Sequence, residues 1–528
     1  MNPRLLLLLM TLLLWGRSVE AEPVVIGFSR FHSSAPTASG GRLLFNELGC
    51  ANCHPITTSL PVRRGPEIQG ITARIDADWL RAFLASPESN HAGFAMASVL
   101  SQKPENIESV IHYLGSLKPK TAAKPKVASH VNAKRGEELF HTIGCVACHQ
   151  AGKEFRPEDG YPSDSERGYP SIAFPELKKK YTLSHLSDFL LDPLKTRPDG
   201  RMPKIVLEDT EATDIAGYLL GFESSDIKVA PSLKPLTPDP ELSKTGRDIV
   251  AKSGCFACHT LPKEVSVNFI ALKNIEGGCL TDAPHEGIPR YSFTQEQRSA
   301  FAAFLKSPSE AFTSNETTKL TLESLNCVAC HERDGIGGPD VARKAYFIGD
   351  HNLGDTGRYV PPLTGVGRKL QTEWLAGVLR GENRVRPYLK TRMPIYGSAT
   401  ESLANMLSAA DHRETKTPSG GDDTAGRKLL GTQGGIGCIT CHRWGERASL
   451  GIQALDLSNI GQRLQPEWLF EYLLDPAAYR PGTLMPSFWP GGQASNQTIL
   501  GGDTARQIAS IYSFAKSANG EPEGFPEV

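Results

Sequence analysis

Short amphipathic stretches recur along this 528-residue chain, in a repeating order. One kind is compact and opens on glycine: Gly41-Arg42-Leu43-Leu44-Phe45, Gly136–Phe140, Gly246–Val250 and Gly426–Leu430. In one repeat Lys319–Leu325 takes its place, without the glycine. A second kind reads Asp78-Trp79-Leu80-Arg81-Ala82-Phe83-Leu84, and returns as Ser184–Leu190, Glu373–Leu379 and Glu467–Leu473. A third closes the repeats, as in Ile107, Val110, Ile111 and Leu114, in Ile215, Leu219 and Leu220, and in Ile508, Ile511, Tyr512 and Phe514. Apolar residues three and four apart form one stripe on a helix. The pattern therefore predicts a mainly α chain of repeated helical units. Proline-, lysine- and glycine-rich joins at 118–127, 230–240 and 418–423 help divide it into units 36–118, 128–224, 240–308, 312–414 and 422–518. The join around Ser307–Glu316 is short, which suggests that the third and fourth units pair.

One apolar run stands outside this scheme. Leu5–Trp15 follows Met-Asn-Pro-Arg and precedes Val19-Glu20-Ala21, the layout of a cleavable signal peptide over 1–21. The run is too short to span a bilayer, and no later stretch is long and apolar enough. An exported, periplasmic protein without a transmembrane anchor is expected. Charge adds little: 57 basic and 58 acidic residues are mixed along the chain, which argues against nucleic acid as a partner. Lys178–Lys180 reads as a solvated basic face.

Each unit carries one Cys-x-x-Cys-His: Cys50, Cys53 and His54; Cys145, Cys148 and His149; Cys255, Cys258 and His259; Cys327, Cys330 and His331; Cys438, Cys441 and His442. These use ten of the eleven cysteines. The pattern is the attachment signature of c-type haem. Two intervening residues set the thiols about one helical turn apart, within reach of the two porphyrin vinyl groups, and the next histidine meets the iron. A zinc site needs four ligands, and no second cluster stands at the required spacing near each copy. Five covalently bound haems c, with their iron, are the expected cofactors. Such haems are attached outside the bacterial cytoplasm, in keeping with export.

The second axial ligand follows from internal register. Counting from the Trp or His of the second helical stretch, a methionine follows at one constant interval in three units: Trp79 to Met96, His185 to Met202 and Trp468 to Met485. In a fourth, Trp374 to Met393, the interval is longer by a two-residue insertion. Proline follows three of them, as Pro203, Pro394 and Pro486. Methionine is a common core filler. Four in register with a haem motif read instead as thioether ligands, which raise the potential and close the iron. Met96 lacks the proline, and His91 stands near it as a substitute.

The third unit has no methionine after His259. It has Gly277-Gly278-Cys279 and His285, then a helical stretch 294–305. Three readings stand for this iron: ligation by His285, ligation by Cys279, or an open site. Cys279 reads equally as a buried free thiol, and His351, in the long insertion of the fourth unit, is a further candidate if the two units pack closely.

A helix before the motif, a middle helix and a closing helix around haem resemble the class I cytochrome c family, five times over nearly all of the mature chain. The resemblance implies five tandem cytochrome c-like domains, each wrapped around one covalently attached haem. It also implies that a proline carbonyl in a Gly-Pro-like stretch orients the proximal histidine. Gly65-Pro66, Tyr169-Pro170 and Pro361-Pro362-Leu363 match, and the fifth unit lacks a proline there. Such a chain is expected to carry electrons between periplasmic or membrane redox partners, or to dock on a membrane redox complex. The competing expectation is a haem enzyme, peroxidase-like or a small-molecule reductase, with the haem at His259 as its active site.

Overall fold

A computed structural model describes residues 23–87, 96–100, 103–119, 127–157, 170–174, 176–226, 233–262, 277–281, 288–308, 311–416, 419–517 and 519–526. The leader 1–21, His91 and His285 lie outside the described residues. The chain is mainly α. Its longer helices are α1 Ile26–Phe31, α2 Ala38–Glu47, α3 Ala77–Ala85, α4 Glu105–Ser116, α5 Ala133–Thr142, α6 Leu183–Leu191, α7 Asp209–Leu219, α8 Pro240–Lys252, α9 Gln295–Leu305, α10 Ser314–Ser324, α11 Thr372–Arg380, α12 Leu403–Ala410, α13 Asp423–Leu430, α14 Pro466–Leu474 and α15 Thr504–Ser517. Polar caps set many of their starts. The Asp76 carboxylate accepts from the amides of Asp78 and Trp79, and Thr294 with Gln297 and Thr313 with Glu316 form capping boxes. Two-residue strands pair antiparallel, β1 His130–Val131 with β2 Ser225–Asp226, and β3 Glu332–Arg333 with β4 Ile336–Gly337.

The glycine that opens each compact stretch marks a helix crossing. A Cβ built on Gly136 of α5 would stand 2.0 Å from the Asp214 carbonyl oxygen of α7. On Gly426 of α13 it would stand 2.0 Å from the Ser510 carbonyl oxygen of α15. Only glycine permits backbones this close. The other two glycines cross helices that are distant in sequence. Gly41 of α2 lies on α9, 2.1 Å by the same measure from the Ala300 carbonyl oxygen. Gly246 of α8 lies on α4, 1.9 Å from that of Ser109.

The expected units 36–118 and 240–308 therefore exchange halves. One core joins Leu43, Leu44, Phe45 and Leu48 to Phe293, Ala300, Phe301 and Phe304. The other joins Trp79, Leu80, Phe83, Ile107, Val110 and Ile111 to Val250. The segment leaving the first motif enforces the exchange. Arg63 is buried, with Nε on the Glu47 carboxylate at 2.9 Å and Nη1 and Nη2 on the carbonyls of Asp199 (2.6 Å) and Ser324 (2.7 Å). The Gly65 amide then donates to the Cys258 carbonyl at 2.9 Å, carrying the chain into the third motif's body. After the short join, α10 packs on α1 and α2.

The described residues between 127 and 226 pack largely on one another and contain a pH-sensitive side chain. His141 is fully buried; its Nδ1–H donates to the Glu137 carbonyl (2.7 Å), and the Gly152 amide donates to Nε2 (2.8 Å). Acceptance at Nε2 needs the neutral ring, and burial pushes its pKa down to about 4 against the opposing bond to Glu137. Between about pH 6.5 and 4 the unfolded chain binds the extra proton, so stability falls as pH falls, by roughly 3 kcal/mol in total. Denaturant unfolding of this body at pH 7 and pH 4.5 should show the loss, and His141→Phe should flatten it. A midpoint in the parent chain that does not move across this window would refute the assignment.

Candidate functional site

All five motifs adopt one local structure. A residue at positive φ precedes the first cysteine: Gly49 (72°), Gly144 (120°), Gly254 (68°), Asn326 (54°) and Gly437 (75°). Asparagine tolerates the left-handed region better than most residues, so the fourth motif needs no glycine there. One helical turn follows, and each histidine amide donates to the carbonyl of the first cysteine at 2.9–3.0 Å. The ten thiols are unbridged. Among the described residues no group of three or more His, Cys, Asp or Glu side chains converges as a metal site.

The histidines are set for ligation. Nδ1–H donates to a backbone carbonyl at four motifs: His149 to Ile172 (3.1 Å), His259 to Pro66 (2.9 Å), His331 to Pro361 (2.6 Å) and His442 to Leu455 (2.8 Å). That fixes the tautomer with the lone pair on Nε2, the arrangement of a metal-bound imidazole. Burial holds all four rings below the usual histidine range, His149 at about 4. Burial also pushes the Cys145, Cys327, Cys330 and Cys438 thiols up to about 12. These groups are enclosed by protein yet keep some accessible surface.

Two expected acceptors are corrected. Pro66 serves His259 rather than His54, and the His259 ring lies where a side chain at Gly65 would be, 2.4 Å from a Cβ built there. The acceptor for His149 is Ile172, two residues beyond Pro170.

Methionine placement follows the exchanged halves. Met96 packs in the core that holds Val250 and Cys255, beside the third motif, not the first. Met485 flanks the fifth core with Cys438. None of Met96, Met202, Met393 and Met485 is fully buried, and Met393 is 41% exposed. The loop after Met202 pairs with the loop after Met393, Lys204 and Ile395 exchanging backbone hydrogen bonds of 2.9 and 2.8 Å, and the loop after Met96 pairs with the segment at Arg290, Ser98 and Arg290 exchanging two of 3.0 Å. Cys279 is a half-buried free thiol beside the first motif's core, and His351 is exposed.

Contacts link the motifs and the bodies around them. The Asn52 amide donates to Cys258 Sγ at 3.8 Å, joining the first motif to the third. The Glu67 amide meets the Thr196 carbonyl (2.8 Å) and the Asp76 amide that of Lys180 (3.1 Å), joining the third body to the second. The Asn326 amide donates to Cys148 Sγ at 3.1 Å, joining second to fourth. Gln371 and Gln465 donate to the carbonyls of Arg463 and Lys369 (2.9 and 3.0 Å), joining fourth to fifth. The first body also meets the fourth, through α10 on α1 and α2 and through Arg30 on the Val328 carbonyl at 2.8 Å.

Cations crowd two of these joints, a feature the sequence reading missed. Lys180 Nζ lies 4.4 Å from the Trp79 ring centroid, near Arg74 and Arg197; burial and those two charges push its pKa down to about 7. Lys178–Lys180 was expected to be a solvated face, yet Lys180 is 5% exposed. At the other joint Lys369 Nζ lies 4.5 Å from the Trp468 ring, and burial with Arg386, Arg463 and Arg480 drives its pKa well down. Nη1 of Arg463 is buried without a hydrogen-bond partner. Like charges enclosed together are costly without anions. The carboxylate edges of two haems, one from each body, suit such a cleft, just as paired thiols and a neutral imidazole suit the vinyl edge and the iron. Haem therefore fits the residues present. No protein-family model matches the chain, and neither does any curated protein or solved structure.

Proposed function

We propose that the chain is an exported pentahaem c-type cytochrome that carries electrons between periplasmic or membrane redox partners. The helical bodies are read as cytochrome c-like domains, similar to class I cytochromes c. The observation that carries this reading is five alike Cys-x-x-Cys-His turns in bodies that touch one another, with the first motif against the third and the second against the fourth. When bound, haem supplies reversible one-electron chemistry. The chain supplies the rest. Paired cysteines anchor each group, and His149, His259, His331 and His442 present Nε2 to it. Met202, Met393 and Met485 complete the second, fourth and fifth sites, and Met96 the third. Soft sulfur on the far side keeps an iron closed and its potential high. Buried cations at two joints hold propionate edges together, while mixed surface charge suits brief encounters with redox proteins rather than nucleic acid. No helix among the described residues is long and apolar enough to cross a membrane, so docking on a membrane redox complex would rely on surface contact.

Protein made with the c-type maturation machinery should carry five haems by mass. Met202→His should then lower one potential and leave four nearly unchanged. Zinc in place of haem would overturn the reading, and a redox titration that does not move would overturn the ligand assignment.

A further inference from the structure

The paired loops identify which site lacks a sulfur ligand. Lys204 and Ile395 each stand two residues after a methionine, Met202 and Met393. In the matching pair, Ser98 stands two after Met96, but its partner Arg290 stands two after Ile288. Proline follows Ile288 as it follows Met202 and Met393, and Ile288-Pro289-Arg290-Tyr291 repeats Met393-Pro394-Ile395-Tyr396 with isoleucine in place of methionine. The helix crossings give the same register. Gly136 meets Asp214 and Gly41 meets Ala300, and Asp214 stands as far beyond Met202 as Ala300 stands beyond Ile288. Tyr291 closes the loop onto α2, its hydroxyl donating to the Leu48 carbonyl at 3.3 Å.

We infer, resting on the haem reading above, that the iron at His54 has no methionine ligand and takes a small neutral exogenous ligand on the side that Ile288 occupies. A hydrocarbon side chain has no lone pair to offer, whereas each of the other four bodies has a methionine in register. The surrounding core of Leu60, Phe293, Phe301 and partly buried Leu280 and Tyr291 is apolar, with the half-buried Cys279 thiol beside the motif, which favours an uncharged molecule of two or three atoms.

Carbon monoxide is the probe. The reduced five-haem protein should take up one equivalent, with a shift of one Soret component in five. Ile288→Met should abolish that uptake and raise one potential, while haem content stays at five by mass. No uptake by the parent protein, with a bis-histidine or thiolate spectrum at the low-potential haem, would overturn the inference and leave the carrier reading intact. Uptake that survives in Ile288→Met would overturn it as well. Fewer than five haems in the parent protein would instead overturn the haem reading beneath it.

Discussion

Met96→Ala is expected to open the iron at His259 and leave the one at His54 unchanged. Chain order suggests the opposite, because Met96 follows the first motif directly and stands far in sequence from the third. Packing decides otherwise. Met96 borders the same core as Val250 and Cys255, and α8 crosses α4 at Gly246 with no room for a side chain. Losing the thioether removes the ligand that stabilises reduced iron, so the potential should fall by on the order of 0.1 V within the roughly 0.8 V range that axial ligands span. Carbon monoxide uptake should rise from one equivalent to two. Removing thiols shows which site responds. In a Cys255→Ala/Cys258→Ala background Met96→Ala should change no remaining potential, whereas in a Cys50→Ala/Cys53→Ala background its effect should persist. The reverse pattern would restore sequential units and undo the exchange.

The sequence was most legible where chemistry is local. A Cys-x-x-Cys-His turn is closed by a hydrogen bond from its own histidine amide and needs one residue before it that accepts positive φ, so nothing distant disturbs it. Helix stripes were legible for the same reason. Partner choice was not. Gly41 announces that another backbone comes close, but nothing near Gly41 says whether α4 or α9 supplies it. The hydrophobic faces of α4 and α9 are both apolar and of similar length, so either would bury the stripe of α2. Long-range hydrogen bonds from Arg63 and Gly65, invisible in any window of sequence, select α9. Two signals were present and unread. Ile288-Pro289 matches the Met-Pro pairs once isoleucine is admitted as a substitute. A basic residue also stands five positions before Trp79, His185, Trp374 and Trp468, as Arg74, Lys180, Lys369 and Arg463. A lone lysine in a run of three looks solvated; only its periodic recurrence marks it as a joint residue.

Arg463→Gln should reverse its effect on stability according to whether haem is attached. In a chain whose motif cysteines are replaced, Arg463 is a buried cation among Lys369, Arg386 and Arg480, held at a pKa of about 10 by burial and by Arg386. Removing one of several mutually repelling charges should then stabilise the joint between the fourth and fifth bodies. With haem attached, the same guanidinium balances propionate charge, and its loss strands a buried anion at a cost of about 3–5 kcal/mol. The potentials should move too. At an effective dielectric constant of about 20, a unit charge on the order of 10 Å away contributes roughly 1.7 kcal/mol. At about 59 mV per tenfold change for one electron, that is roughly 50–100 mV. Loss of a positive charge favours ferric iron, so the shift is downward, confined to the sites at His331 and His442. Exposed Lys428→Gln should produce no comparable shift, because water and salt screen it. Chemical denaturation of haem-free and haem-loaded protein, with a redox titration of the latter, reads both effects. If Arg463→Gln destabilises the haem-free chain as well, the cation cluster is a packing element and not a seat for propionates.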